Sequence, residues 1–141
     1  MTDNEISSIS DLLRILTELG EPAEGHSRFF RGQGNAGWDI LPGIYRNQKL
    51  VENEDKIIKE ALLNCPDDFS PTDTLLEKLV KLQHYGYPTR LLDFTSNPLI
   101  ALYFAIEENI SNTDGVVWGI DEFEQNKTPS INENKIVFYT L

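Results

Sequence analysis

Two stretches of this chain place side chains capable of chemistry among apolar or glycine neighbours. The first is Phe29-Phe30-Arg31-Gly32-Gln33-Gly34. An arginine that follows two aromatics can be held by a strand, and the glycines after it would let a ligand approach the backbone. The planar fork of Arg31 suits a phosphate or carboxylate. The plain alternative is a surface arginine paired with one of the many acids. The second stretch runs from Gln83 to Ser96 and holds His84, Tyr85, Tyr87, Arg90, Asp93, Thr95 and Ser96. Burying such a group without function would be costly. A structural account also exists: Asp93 pairs with Arg90, Thr95 and Ser96 cap the following helix, His84 is a satisfied interior histidine, and Tyr85 and Tyr87 are core aromatics.

Other patterns are weaker. Gly32, Gly34 and Gly37 keep the G-x-G-x-x-G spacing, but they are expected to form a loop before Trp38 and not to open a helix, and neither a Gly-Lys-Ser/Thr phosphate loop nor a Gly-x-Ser-x-Gly elbow occurs. Glu122-Phe123-Glu124 reads as part of a solvated acidic run. Cys65 is the only cysteine, so it has no intramolecular disulfide partner, and at a helix end it reads as apolar filler. With His26 and His84 the only histidines, no zinc-like spacing exists and no metal is expected.

The elements that must position these residues follow from periodicity. Ile9, Leu12, Leu13, Leu16 and Leu19 share a helical face between a Ser8 start and a Gly20 stop. Arg28 to Arg31 suits a strand. Helices are expected through Ile57 to Leu63, ending before Pro66, and from about Pro71 to Gln83. Asn97 and Pro98 are a good cap and first position for a helix through Ile106, which is apolar all round and therefore expected to be buried on most sides. Gly115 to Ile120 and Ile136 to Leu141 read as strands, with Asp121 to Asn134 a loop.

The 141 residues have the size and composition of one domain, 40% hydrophobic and 25% charged. The expected fold class is therefore α+β: a single compact domain, 1–141, with N-terminal and central helices packed on a small mixed or antiparallel sheet. Twelve basic residues against 23 acidic ones give a net charge of −11, which argues against bulk nucleic-acid or anionic-membrane binding. The acidity is uneven. Residues 1–30 carry six acids and two bases, 31–90 nine and eight, and 91–141 eight and two. The near-neutral middle holds Arg31, Arg46 and Arg90, which leaves room for one small anionic ligand in one pocket. The N-terminus shows no secretory pattern and the apolar run Pro98 to Ile106 is too short for a bilayer, so a cytoplasmic location is expected.

Phe30-Arg31-Gly32-Gln33, Trp38 through Leu41-Pro42 and Arg46, Gln83 to Thr95, Asn97-Pro98-Leu99 and Ala101 to Ala105 together resemble the FRG domain, named for its Phe-Arg-Gly motif. The resemblance spans about residues 8–120. Tyr87 stands where Leu is commoner and Phe94 where Trp is commoner. The family usually continues past the position of Leu141, which implies a truncated or minimal version. The signature includes His84, Tyr85, Arg90 and Asp93, for which a ligand pocket lined by His84 and Arg90, with Asp93 orienting one of them, is expected. Gly32 and Gln33 would join it.

A further resemblance is to arginine-serine-glutamate ADP-ribosyltransferases, where an aromatic-Arg-Gly strand, a hydroxyl segment before an apolar helix and a Glu-x-Glu occur in that order. It implies NAD as cofactor, Arg31 on its phosphates, Thr95 and Ser96 shaping the nicotinamide pocket, and Glu124 or Glu122 stabilising an oxocarbenium-like transition state. Such a reaction needs positioning and one carboxylate more than a strong nucleophile. Three readings follow. The chain is an NAD-using transferase-like enzyme with a toxin or defence role, a non-catalytic module that binds a nucleotide or protein, or a domain whose polar cluster is a buried network supporting the apolar helix.

Overall fold

The computed structural model describes residues 5–109 and 113–123, and the backbone of residues 137–140. The Ser8 hydroxyl accepts the Asp11 N–H at 3.2 Å and so starts helix α1, Ile9–Leu19. Gly20 ends it at a φ of 67°, donating its N–H to the carbonyls of Leu16 and Thr17. Three helices follow strand β1, His26–Gln33: α2, Gln48–Glu52; α3, Glu54–Asn64; and α4, Leu75–His84. A full capping box begins α4, with Thr74 and Glu77 each accepting from the other's backbone N–H. Then come strand β2, Leu91–Phe94; helix α5, Pro98–Glu107, capped by Asn97; and strands β3, Val116–Phe123, and β4, Val137–Thr140.

The sheet is mixed. β1 runs antiparallel to β3, with Arg31 opposite Trp118, and β2 runs parallel to β4. One antiparallel bridge, Phe30 with Thr95, joins the two pairs. This is the α+β domain expected from the sequence. Strand β3 is longer than expected: Asp121 to Phe123 continue the ladder instead of entering a loop, because Arg28 clamps Asp121 with two hydrogen bonds of 2.5 and 2.7 Å. The rest of that expected loop lies outside the described residues.

A core of Ala61, Leu79, Leu82 and Leu91 ties α3 and α4 to β2, with Tyr87 packed against it. Each fully buried leucine there contributes roughly 1.5–3 kcal/mol. Tyr85, by contrast, is exposed, so only one of the two tyrosines is a core aromatic.

Helix α5 corrects one expectation. Ala101 and Ala105 are buried, but among the described residues Leu99, Ile100, Tyr103, Phe104 and Ile106 stay exposed. The cause is the narrowness of the contact. A Cβ on Gly32 would overlap the Ala101 carbonyl, and one on Gly34 would overlap the backbone of Glu108, so helix and strand meet backbone to backbone along a stripe of small residues. Gly32 and Gly34 thus admit the helix on the side where a Cβ would stand. No helix among the described residues is long and apolar enough to cross a membrane.

Candidate functional site

The backbones of Phe30 and Thr95 place the end of β1 beside the end of β2. Between them and α5 opens a cleft of about 140 Å³ with Arg31, Asp93, Thr95 and Glu108 as its polar lining and Phe30, Phe94, Ala101 and Phe104 as its apolar walls. Gly32 forms part of its floor.

Arg31 is the centre of this arrangement. Its Nη1 donates to the main-chain oxygen of Asp93 at 2.9 Å, while its buried Nε has no hydrogen-bond partner. A guanidinium carries five N–H donors, and a buried donor left unmatched costs about 1–3 kcal/mol. Burial pushes the Arg31 pKa below its usual value; the charges of Glu108 and Asp93 oppose that shift, and the charge of Arg46 adds to it.

The other arginines sharpen the contrast. Arg14 pairs with Glu18, Arg28 with Asp121 and Arg90 with Glu54. Among the described residues, neither Arg31 nor Arg46 has a carboxylate bonded to it, in a chain with 23 acids. Arg46 is exposed, at the end of the 3₁₀ turn Gly43–Arg46, which Ile44 anchors by donating its N–H to the Thr89 carbonyl at 3.2 Å.

Asp93 is held from two sides, by Arg31 at its main chain and by Gln83, whose Nε2 donates to Oδ2 at 2.6 Å. It therefore orients neither His84 nor Arg90 and does not pair with Arg90. The Thr95 hydroxyl accepts the Asn97 N–H at 3.1 Å. Glu108 follows the last turn of α5 on the face that Ala101 and Ala105 turn toward β1.

The remaining expected site residues lie elsewhere. Arg90 grips Glu54 through Nε and Nη2 at 2.7–2.9 Å and meets the Tyr45 hydroxyl at 3.1 Å. His84, at the exposed end of α4, stands edge-on to Tyr85 with ring centroids 5.9 Å apart. Neither residue lines the Arg31 cleft, so the expected pocket of His84 and Arg90 does not form there. Gln33 is fully buried, accepting the Trp118 indole N–H at 2.7 Å and donating to the Asp39 carbonyl at 3.4 Å, which makes it a strut between β1 and its surroundings. Ser96 is exposed outside the cleft. Glu122 faces Ser27, four residues beyond the Trp118 that faces Arg31, or about 13 Å along the ladder. Glu124 lies outside the described residues.

Two participants were not among the residues expected from sequence. Glu54 is 36 positions from Arg90 and carries no local mark. Glu108 does carry one: Ala101, Ala105 and Glu108 recur at helical spacing. No group of three or more His, Cys, Asp or Glu among the described residues could hold a metal ion.

An α+β domain with an arginine-centred cleft between two strand pairs and an apolar helix is the class of structure these features define. The family model of the FRG domain matches residues 26–114, from the first residue of β1 to the segment before β3, and the chain belongs to that family. No curated protein and no solved structure matches the chain.

Proposed function

We propose that this FRG domain binds a small phosphorylated ligand, with Arg31 receiving the phosphate. The observation that carries the reading is the contrast among the arginines: three have carboxylate partners, while Arg31 opens into a cleft with unused donors. A charge-assisted, forked contact to a phosphate would match those donors and offset the cost of burying them. A nucleotide is the ligand class, and NAD is the particular nucleotide that the resemblance to ADP-ribosyltransferases favours. At about 140 Å³ the cleft takes one phosphate-bearing part of such a molecule, and the remainder would extend beyond it.

Titration calorimetry with NAD, ADP and inorganic phosphate tests this. Saturable binding that weakens at least about tenfold in Arg31→Met supports the reading. Equal affinity in the variant, or no binding to the native chain, overturns it.

One observation favours a second, catalytic reading, namely that Glu108 lines the cleft with Arg31. In that reading the ribose C1′ to nicotinamide bond of NAD breaks, nicotinamide leaves with the electron pair, Glu108 faces the developing oxocarbenium in the place first assigned to Glu122 or Glu124, and the oxygen of water or of an acceptor hydroxyl bonds to C1′ and releases its proton to solvent. Nicotinamide release by the native chain, lost in Glu108→Gln, supports catalysis. Binding without release leaves a non-catalytic module.

A further inference from the structure

A bare phosphate is a poor match for this cleft, because Arg31 shares it with two acidic residues, Asp93 and Glu108, whose charges both act on the guanidinium. An anion entering alone would meet more negative charge than positive. A ligand that carries hydroxyl donors next to its phosphate would satisfy all three groups.

The hydrogen bonds behind Asp93 have a fixed polarity. The Leu91 N–H can only donate, and it donates to the Thr89 hydroxyl oxygen at 3.2 Å. Thr89, which is buried, passes its own proton to Gln83 Oε1. That turns the Gln83 NH₂ toward Asp93, where it donates to Oδ2 at 2.6 Å. The reverse orientation of the amide would set its carbonyl oxygen against a carboxylate oxygen. Asp93 is thus pinned at Oδ2 by Gln83 and at its main-chain oxygen by Arg31. Its second carboxylate oxygen, Oδ1, has no donor among the described residues.

We infer that the ligand is a sugar phosphate, or a nucleotide through its sugar-phosphate portion, in which Asp93 Oδ1 accepts a sugar hydroxyl while Arg31 holds the phosphate, and that Gln83 and Thr89 are positioning residues for Asp93. The inference rests on the phosphate reading of Arg31. It adds a requirement for hydroxyls that phosphate binding alone does not contain.

The test compares ribose 5-phosphate, 2-deoxyribose 5-phosphate and inorganic phosphate on the full chain. Ribose 5-phosphate is expected to bind about tenfold more tightly than inorganic phosphate, the size of a charge-assisted hydrogen bond. In Asp93→Asn, removal of a negative charge strengthens inorganic phosphate while the sugar preference falls toward one. A purely structural role for Asp93 would move both ligands together. Gln83→Met, and Thr89→Val should the first variant fail to fold, is expected to lower the sugar preference with little change in phosphate affinity. The deoxy sugar shows whether the 2-hydroxyl is the group accepted. Inorganic phosphate that binds as well as ribose 5-phosphate, with the ratio unmoved by Asp93→Asn, overturns the inference and leaves the Arg31 reading standing. No binding of any of the three removes both.

Discussion

Phe30 and Thr95 exchange both of their backbone hydrogen bonds, Phe30 N to Thr95 O at 2.7 Å and Thr95 N to Phe30 O at 2.8 Å. These residues are 65 positions apart, and this one pair brings the arginine after Phe30 against the aspartate before Phe94. The cleft is therefore a consequence of main-chain pairing, and substitutions of its side chains should alter binding more than fold.

Arg31 gives the sharpest case. Arg31→Met removes one hydrogen bond to a carbonyl, worth about 1 kcal/mol, and also removes a buried guanidinium nitrogen without a partner, which costs about 1–3 kcal/mol. Urea unfolding should show stability unchanged or raised, while phosphate-ligand binding is lost. A large drop in stability would mean that the arginine holds the fold together.

Arg90 and Glu54 should behave in the opposite way. Their forked ion pair is partly buried, with 35% and 17% of the side chains accessible. Glu54→Gln is expected to cost about 1–2 kcal/mol, with a double-mutant cycle against Arg90→Met returning most of that as coupling. Ligand affinity should not change, which calorimetry on both variants can check.

Gly32→Ala is expected to be the most damaging small substitution. Its methyl group would occupy the space of the Ala101 carbonyl oxygen, and neither element can retreat without leaving the other. Overpacking of this kind costs about 1–3 kcal/mol and more where backbone must move. Loss of the cooperative thermal transition, or a strongly lowered midpoint by circular dichroism, is the expected result.

Acid stability should depend on Asp121. Its hydrogen bonds from Arg28 hold the carboxyl below its usual value of 3.8, so the folded state resists protonation more than the unfolded chain. The unfolded state then binds more protons in that range, and stability rises with pH. The contribution is fully present above pH 3.8 and is lost as the pH falls through the lower folded value. Asp121→Asn should flatten the acid limb of a stability profile measured from pH 2 to 6 and leave its slope near neutrality unchanged.

Much of this was legible along the chain. Ser8, Gly20, Asn97 and Pro98 mark helix ends through local hydrogen bonding, which sequence order preserves. Arg31, Asp93 and Thr95 stood out because polar groups beside apolar runs need partners. Other features depended on what folding brings together. Nothing near Arg90 points to Glu54, and apolar character along α5 says nothing about what covers it. Glycines after a strand look the same whether a ligand or a helix approaches them. Glu108 was readable from the helical period, whereas Glu122 drew notice through its order in the chain, which carries no information on distance from Arg31.

The bond from Trp118 to Gln33 has a spectroscopic consequence. Trp118 lies directly across the ladder from Arg31 with its indole N–H committed, while the chain's other tryptophan, Trp38, is 45% exposed. In a Trp38→Phe variant all indole fluorescence would come from the strand position that faces the cleft arginine. The fold therefore places an intrinsic optical reporter beside Arg31, and a change in its emission on adding a phosphorylated sugar would register occupancy without any label.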